Sequence, residues 1–417
     1  MSITWLRNAA LADGRRRDVG LAGGLIGAVT EPRPGGPGDV DLDGYVLLPS
    51  FVEPHAHLDK ALTASRVENP AGDLLGAIRA MHAAAGGFTK ADIARRADRA
   101  LRTMLAHGTT AVRSHVDVGS SVGMRALEAL AEVRAAWAGI VDVQLVALVG
   151  NPLAGEGGAN LRDALRNGAD IAGGCPHLDP EPDRAVGICL DAAGEAGRPI
   201  DLHTDETLDP GKLTLATLAD LVLRTGFPHG ATASHCVSLA VQPVAVQQRV
   251  SELVSAAGVA VVALPQTNLY LQGRDHPVGP PRGLTAVRAL QAAGALVAAG
   301  GDNLRDPFHP VGRGDPLEVA ALMVTAGHLS PAAAVASVTA APRSALGLPG
   351  VAVEPGAPAD LVALRGEDLI AALGAADQDR LVWRAGRLVA RTTVSRTLHA
   401  PAPPEISAQP ERSLEGS

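Results

Sequence analysis

The chain has 417 residues, 47% of them apolar, with 44 acidic and 36 basic side chains for a formal charge of −8. That apolar share excludes a disordered or fibrous protein and allows a large core, as one α/β barrel or two ordinary domains. Charge is spread evenly without a basic stripe, and there are only nine aromatic side chains (three Trp, two Tyr, four Phe), so nucleic-acid polymers are not expected partners.

From Trp5 to about Leu48, short alternating apolar stretches separated by Gly and Pro clusters predict small β-structure, taken as residues 1–48. Between residues 49 and 347 the pattern changes to strands alternating with helices. Strands are predicted at Tyr45–Glu53, Thr110–Val116, Val141–Val149, Ala169–Gly173, Pro199–His203, Ala231–His235, Val259–Leu264 and Ala295–Gly301. Helices are predicted at Asp92–Ala106, Gly123–Ala136, Leu161–Asn167, Ala185–Ala196, Leu215–Thr225, Val244–Ala257 and Ala286–Ala293, where apolar residues recur at three- and four-residue spacing. Eight strands with interleaved helices predict a (β/α)8 TIM-type barrel, with a doubly wound open sheet as the rival. A second β-rich stretch at 348–396 is expected to pair with the first as one composite β-sandwich, since neither half has enough strands to bury a core. The Pro/Ser/Glu-rich tail 397–417 is expected to be disordered.

No stretch reaches the ~18 uninterrupted apolar residues of a membrane span. The opening MSITWLRNAALADGRRR lacks the order of regions of a signal peptide, so a cytoplasmic enzyme without membrane contact is expected. Cys175, Cys189 and Cys236 form neither a metal knuckle nor a disulfide framework and read as buried reduced thiols.

Five short islands carry the chemistry: His55-Ala56-His57, Ser114-His115, His203 through Glu206, Ser234-His235 and Gly301-Asp302-Asn303. Each ends an apolar strand, and the C-terminal ends of parallel barrel strands converge on one point. His55 and His57, two apart on a strand, project to one face. With His203 and Asp302 they form three imidazoles and one carboxylate, a set that leaves a coordination position for water, as catalytic sites require. One divalent metal, Zn2+ or Fe2+, suits these donors and lowers the pKa of bound water towards ~7. Asp302 can also accept a proton from that water. Glu206, three residues after His203, suits a proton shuttle to a ring nitrogen and a leaving amine. His235 can bond the water or stabilise charge on the attacking oxygen. His115 reads as a supporting or substrate-pocket residue and not a ligand. His82, in a helix, reads as structural or solvated. His177, His276 and His309 lie in loops able to border a pocket.

Taken together, Pro49 through Lys60, Ser114 through Val118, Asp201 through Glu206, Ala233-Ser234-His235, Leu271 through Arg274, Asp302 through Pro307 and Gly356 through Leu364 resemble the amidohydrolase superfamily, and within it the cytosine deaminase branch. The resemblance spans about residues 3–394. It implies a mononuclear iron or zinc site with His55, His57, His203 and Asp302 as ligands, and Glu206 and His235 as the proton shuttle and its partner. Superfamily members with two metals carry a bridging Lys or Glu on the fourth strand; Ile171 through Cys175 has neither, so a bridged pair is not expected. Bacterial cytosine deaminases present a Gln after the third strand and a second Asp after the ligand Asp. This chain has Val149-Gly150-Asn151-Pro152 and Asn303 there, which turns the expectation away from cytosine itself. Gln266, Thr267, Asn268, Asn303 and His115 are candidate substrate contacts. Lys60 reads more readily as a surface lysine than as a contact to an anionic or carbonyl group.

The expected reaction is hydrolytic deamination of a cytosine-like, triazine-like, pterin-like or creatinine-like ring, with metal-bound hydroxide attacking the amine-bearing carbon. Cleavage of another C–N bond, in a cyclic amide or N-alkylamine, is the alternative with the same one-metal site. A binding protein whose chemistry has lapsed is disfavoured because every ligand and both proton-handling residues are present. The partner is a small heterocycle; homo-oligomers are common among such barrels and the state is left open.

Overall fold

The computed structural model describes residues 3–119 and 122–399; the tail expected to be disordered falls, from residue 400 onward, outside the described residues. Sixteen strands form two sheets among these residues. Strands β1 (Thr4–Ala10), β2 (Arg16–Ala22), β3 (Leu25–Thr30), β4 (Val40–Asp41) and β5 (Tyr45–Pro49) precede the barrel. The barrel strands are β6 (Phe51–Ala56), β7 (Thr109–Asp117), β8 (Asp142–Val149), β9 (Ile171–Gly174), β10 (Ile200–Thr204), β11 (Ala231–His235), β12 (Ala260–Ala263) and β13 (Val297–Ala299). After it come β14 (Leu361–Arg365), β15 (Arg380–Arg384) and β16 (Arg387–Thr392).

The barrel strands are parallel and each pairs with its successor. A parallel bridge between Ala56 and Asp302 joins first to last, so the expected barrel closes at the residues expected to be functional. Its strands are buried on both faces, which is why they read as continuous apolar runs. Helices cover the outside at Lys90–Ala106, Arg125–Ala136, Gly157–Arg166, Pro182–Ala196, Thr214–Thr225, Val244–Ala257 and Val287–Ala292, each within a few residues of its predicted span. The first is capped by Thr89, whose side chain accepts from the Asp92 N–H, and buries Ile93, Ala97, Leu101 and Met104 along one face.

One predicted strand is two. The run Tyr45–Glu53 is mostly apolar, but Tyr45–Pro49 belongs to the outer sheet and Phe51–Ala56 to the barrel. The switch is the buried Ser50, whose N–H donates to the Asp360 carbonyl in one unit while its hydroxyl meets Thr110 at 2.6 Å in the other. Hydrophobicity alone cannot mark such a crossing, because both sheets bury their strands there.

The chain ends form one composite β domain, as expected. β14 pairs antiparallel with β5, and the sheet runs β16-β15-β14-β5-β1-β2-β3 with β4 beside β1. Its far edge folds back: the Ile26 N–H donates to Ala357 at 2.8 Å, and Leu25 bridges Pro358. The folded sheet thereby encloses its own core of Leu6, Val19, Ile26, Leu361 and Trp383. Arg380, fully buried, fastens this domain to the barrel through both oxygens of Asp315 at 2.8 and 2.7 Å and through the His107 carbonyl at 2.9 Å.

Candidate metal and catalytic site

All five islands meet at the C-terminal mouth of the barrel. His55 and His57 lie at and just beyond the end of β6, His203 near the end of β10, His235 at the end of β11, and Asp302 just after β13. Asp302 and His235 have left-handed backbone, at φ 62° and 70°. Such conformations are costly for residues with a side chain and concentrate at functional sites. At Asp302 the turn is locked from below: buried Glu53 accepts from the Gly301 N–H at 2.9 Å, and the Asp302 N–H donates to the His55 carbonyl at 3.1 Å. A side chain at Gly300 would run into the Glu53 carboxylate, so this approach requires glycine.

The Nε2 atoms of His55 and His57 each lie 3.2 Å from Nε2 of His203, and Asp302 Oδ1 is 3.7 and 3.3 Å from the first two. Four donors around one divalent ion at metal–ligand distances of ~2.1 Å stand roughly 3.4 Å apart. The spacing therefore fits a divalent metal, and His55, His57 and His203 group as a set able to hold one. The electrostatics agree. Burial, followed by the neighbouring positive groups, holds all three imidazoles well below their ordinary range, so they offer neutral lone pairs. Burial, then Glu206, pushes the Asp302 carboxyl far up, an unfavourable state for an anion that a cation beside it reverses. β9, Ile171-Ala172-Gly173-Gly174, presents no bridging Lys or Glu.

Behind the donors lies a buried chain of polar contacts. His55 Nδ1 meets Ser234 Oγ at 2.9 Å, Ser234 donates to Asp201 at 3.2 Å, and Asp201 pairs with Arg113 at 2.7 Å. Such contacts fix ring orientation at metal sites. Glu206 is buried beside His235, with Oε1 3.6 Å from Nδ1, and burial pushes its pKa up to about 8. Asn268 Oδ1 accepts from His235 Nδ1 at 2.9 Å, which leaves Nε2 free to accept, 4.0 Å from Asp302 Oδ2.

Above these groups opens a cavity walled by Leu74, Ile78, Met81, Leu148, Leu178 and Phe308 and floored by His57, His203, Glu206, His235 and Asp302. Leu74, Ile78 and Met81 come from the helix Leu74–Ala84, an insertion in the first strand–helix loop that the sequence reading gave no bounds, only placing His82 in a helix. The four- and three-residue spacing of Leu74, Ile78 and Met81 was the available signal. An outer chamber, bordered by Lys212, Gln272, Arg274 and His276, shares Leu74, His177, Leu178 and Glu206 with the inner cavity.

The expected substrate contacts divide. Asn303 lines the cavity, held by Thr267 at 3.1 Å and Asp306 at 2.9 Å. His115 does not line it: the ring is stacked behind His55 at 3.8 Å, fully buried. Gln266 and Asn268 sit buried on the helix Pro265–Leu271, also outside the lining; Asn268 orients His235, and Gln266 lies against Gly301. Lys60 is no surface lysine. It is 5% exposed and lines the cavity, 2.8 Å from Asp117 and 3.3 Å from Asp59. Burial opposes its charge, but those two carboxylates more than offset that and raise its pKa. His82 is exposed at the cavity rim, and His177, left open as a loop residue, is buried in the wall.

Comparison with known proteins places this geometry in context. A profile of the amidohydrolase family matches residues 68–390. The chain is 36% identical to a pterin deaminase of Rhizobium rhizogenes over 90% of its own length and 88% of that protein's. It superposes on 5-methylcytosine deaminase from Klebsiella pneumoniae, solved with 5-fluorocytosine, with a TM-score of 0.87 at 29% identity, covering 95% of this chain and 99% of the other. N-isopropylammelide isopropylaminohydrolase from Burkholderia multivorans superposes with a TM-score of 0.80 at 29% identity, covering 94% and 99%.

Proposed function

The chain belongs to the amidohydrolase family, and from that premise we propose that it is a one-metal deaminase of a pterin-like or cytosine-like heterocycle. It is a hydrolase acting on carbon–nitrogen bonds other than peptide bonds, and its chemistry is hydrolytic deamination of heterocycles. We assign His55, His57, His203 and Asp302 as ligands of one Zn2+ or Fe2+ ion. The observation that carries the reading is the buried Glu206 carboxyl beside His235, at the edge of that donor set on the cavity floor.

When bound, the cation lowers the pKa of the attacking water. Asp302 and His235 would take up the proton of the attacking water; His235 Nε2 can accept it because the Nδ1 proton is committed to Asn268. Glu206, held protonated near neutrality by burial, gives a proton to a ring nitrogen and carries a second to the departing amine. The sum is one water consumed, one C–N bond exchanged for C=O and one ammonia released. Apolar walls from Leu74, Ile78 and Phe308 suit the faces of a planar ring.

The pterin class is preferred because a relative 36% identical over 90% of the chain is a pterin deaminase. Lys60 and Asn303 supply polar contacts at the cavity wall. Coupled detection of ammonia, with pterin and cytosine offered to the metal-replete enzyme, tests the assignment: pterin is expected to be turned over faster. Likeness to the N-isopropylammelide enzyme supports a second reading, cleavage of an N-alkylamine, for which isopropylamine would appear instead of ammonia. No helix among the described residues is long and apolar enough to cross a membrane. Three free, buried cysteines accord with a reducing, cytoplasmic setting.

A further inference from the structure

The short turn Pro176–Leu178 after β9 sets His177 into the wall between the inner cavity and the outer chamber, alongside Glu206 in both. Its Nδ1 lies 3.1 Å from the backbone carbonyl oxygen of His203. A carbonyl only accepts, so the ring proton sits on Nδ1 and Nε2 is left with a bare lone pair. The ring is 4% exposed, and Nε2 is buried with no hydrogen-bond partner among the described residues. Native proteins seldom leave a buried acceptor unmet unless something else supplies the donor.

The turn does not need that nitrogen. Asn151, on the neighbouring loop, already donates to the Leu178 carbonyl at 3.1 Å, and the Leu153 N–H reaches Asp179 at 3.4 Å. The bond to His203 uses only Nδ1. Nε2 is therefore an acceptor held in place and unmet, on a residue that lines both spaces.

We propose that His177 is a specificity-determining residue whose Nε2 accepts a hydrogen bond from a ring N–H of the substrate on the Glu206 side of the cavity. Rings that present a carbonyl oxygen or an alkylated nitrogen at that edge meet lone pair with lone pair, or steric bulk, and are disfavoured. This rests on the deaminase reading above and adds to it which edge of the heterocycle is read.

Two variants separate the roles of the two ring nitrogens. Asn at this position can keep the donor to the His203 carbonyl while removing the distal acceptor; Gln can place an oxygen near Nε2 while giving up the proximal donor. With pterin as the probe, His177→Asn is expected to raise KM roughly ten- to hundredfold with little change in kcat. Its zinc affinity should stay within about twofold, since the donor to the His203 carbonyl is kept. His177→Gln is expected to recover much of the KM while binding zinc more weakly. A wild-type KM in His177→Asn, or a KM change that follows zinc loss in both variants, would overturn the assignment of Nε2 to substrate. A wild-type enzyme that releases no ammonia from pterin or cytosine overturns the deaminase reading itself, and with it this inference.

Discussion

The seam between barrel and β domain and the mouth of the barrel both bury polar groups, but they treat them in opposite ways. At the seam, Arg380 meets both oxygens of Asp315 and the carbonyls of His107 and Asp377, so each of its guanidinium nitrogens has a partner. At the mouth, His203 Nδ1, His235 Nε2, His177 Nε2 and Asp302 Oδ1 are buried without hydrogen-bond partners among the described residues, and the Nε2 atoms of His55 and His57 each stand 3.2 Å from that of His203. Completed pairs hold a structure together; uncompleted ones are reserved for something the protein binds.

The comparison can be broken at its strongest point first. Glu206→Gln should lower kcat about 10²–10⁴-fold, the usual worth of a positioned proton-transfer group, with metal content unchanged by elemental analysis. At the seam, Arg380→Met should leave Asp315 buried and unpaired, costing ~3–5 kcal/mol in denaturant unfolding while KM stays at its wild-type value. If that substitution instead altered kinetics and spared stability, the division of labour between the regions would be wrong.

Smaller effects sharpen the picture. Ser234→Ala removes the contact that orients His55, so zinc affinity should fall about 10–100-fold by competition with a chelating dye. In the metal-free protein the sign of a pH effect also follows. Burial raises the Glu206 pKa from 4.5 to about 8, so between those values the folded chain holds a proton that the unfolded chain has released. Stability is therefore lost as pH rises through this window. Glu206→Gln should flatten that part of the slope of melting temperature against pH; an unchanged slope would place the titration elsewhere.

Much of the site was legible in the chain because its residues end strands. His55, His57, His203, His235 and Asp302 each follow an apolar run, and a parallel barrel brings such positions together whatever their separation in sequence. Side chains whose role depends on a distant partner were not legible. Lys60 looks like any lysine beside an aspartate until Asp117, on the next strand, draws it into the cavity wall. His115, at a strand end like the others, sits one layer back, stacked on His55, and its position in sequence cannot tell a layer from a lining. The role of His177 depends on which nitrogen faces the His203 carbonyl, a contact no spacing encodes. The split of Tyr45–Glu53 was hidden because two sheets bury one mostly apolar run.

The central claim is one catalytic metal per chain at the barrel mouth, and ammonia release against added zinc tests it most directly. Starting from chelator-stripped protein and saturating pterin, the rate should rise linearly and break at one equivalent of zinc per chain. A break at two equivalents, or ammonia release that is full before any metal is added, would contradict it.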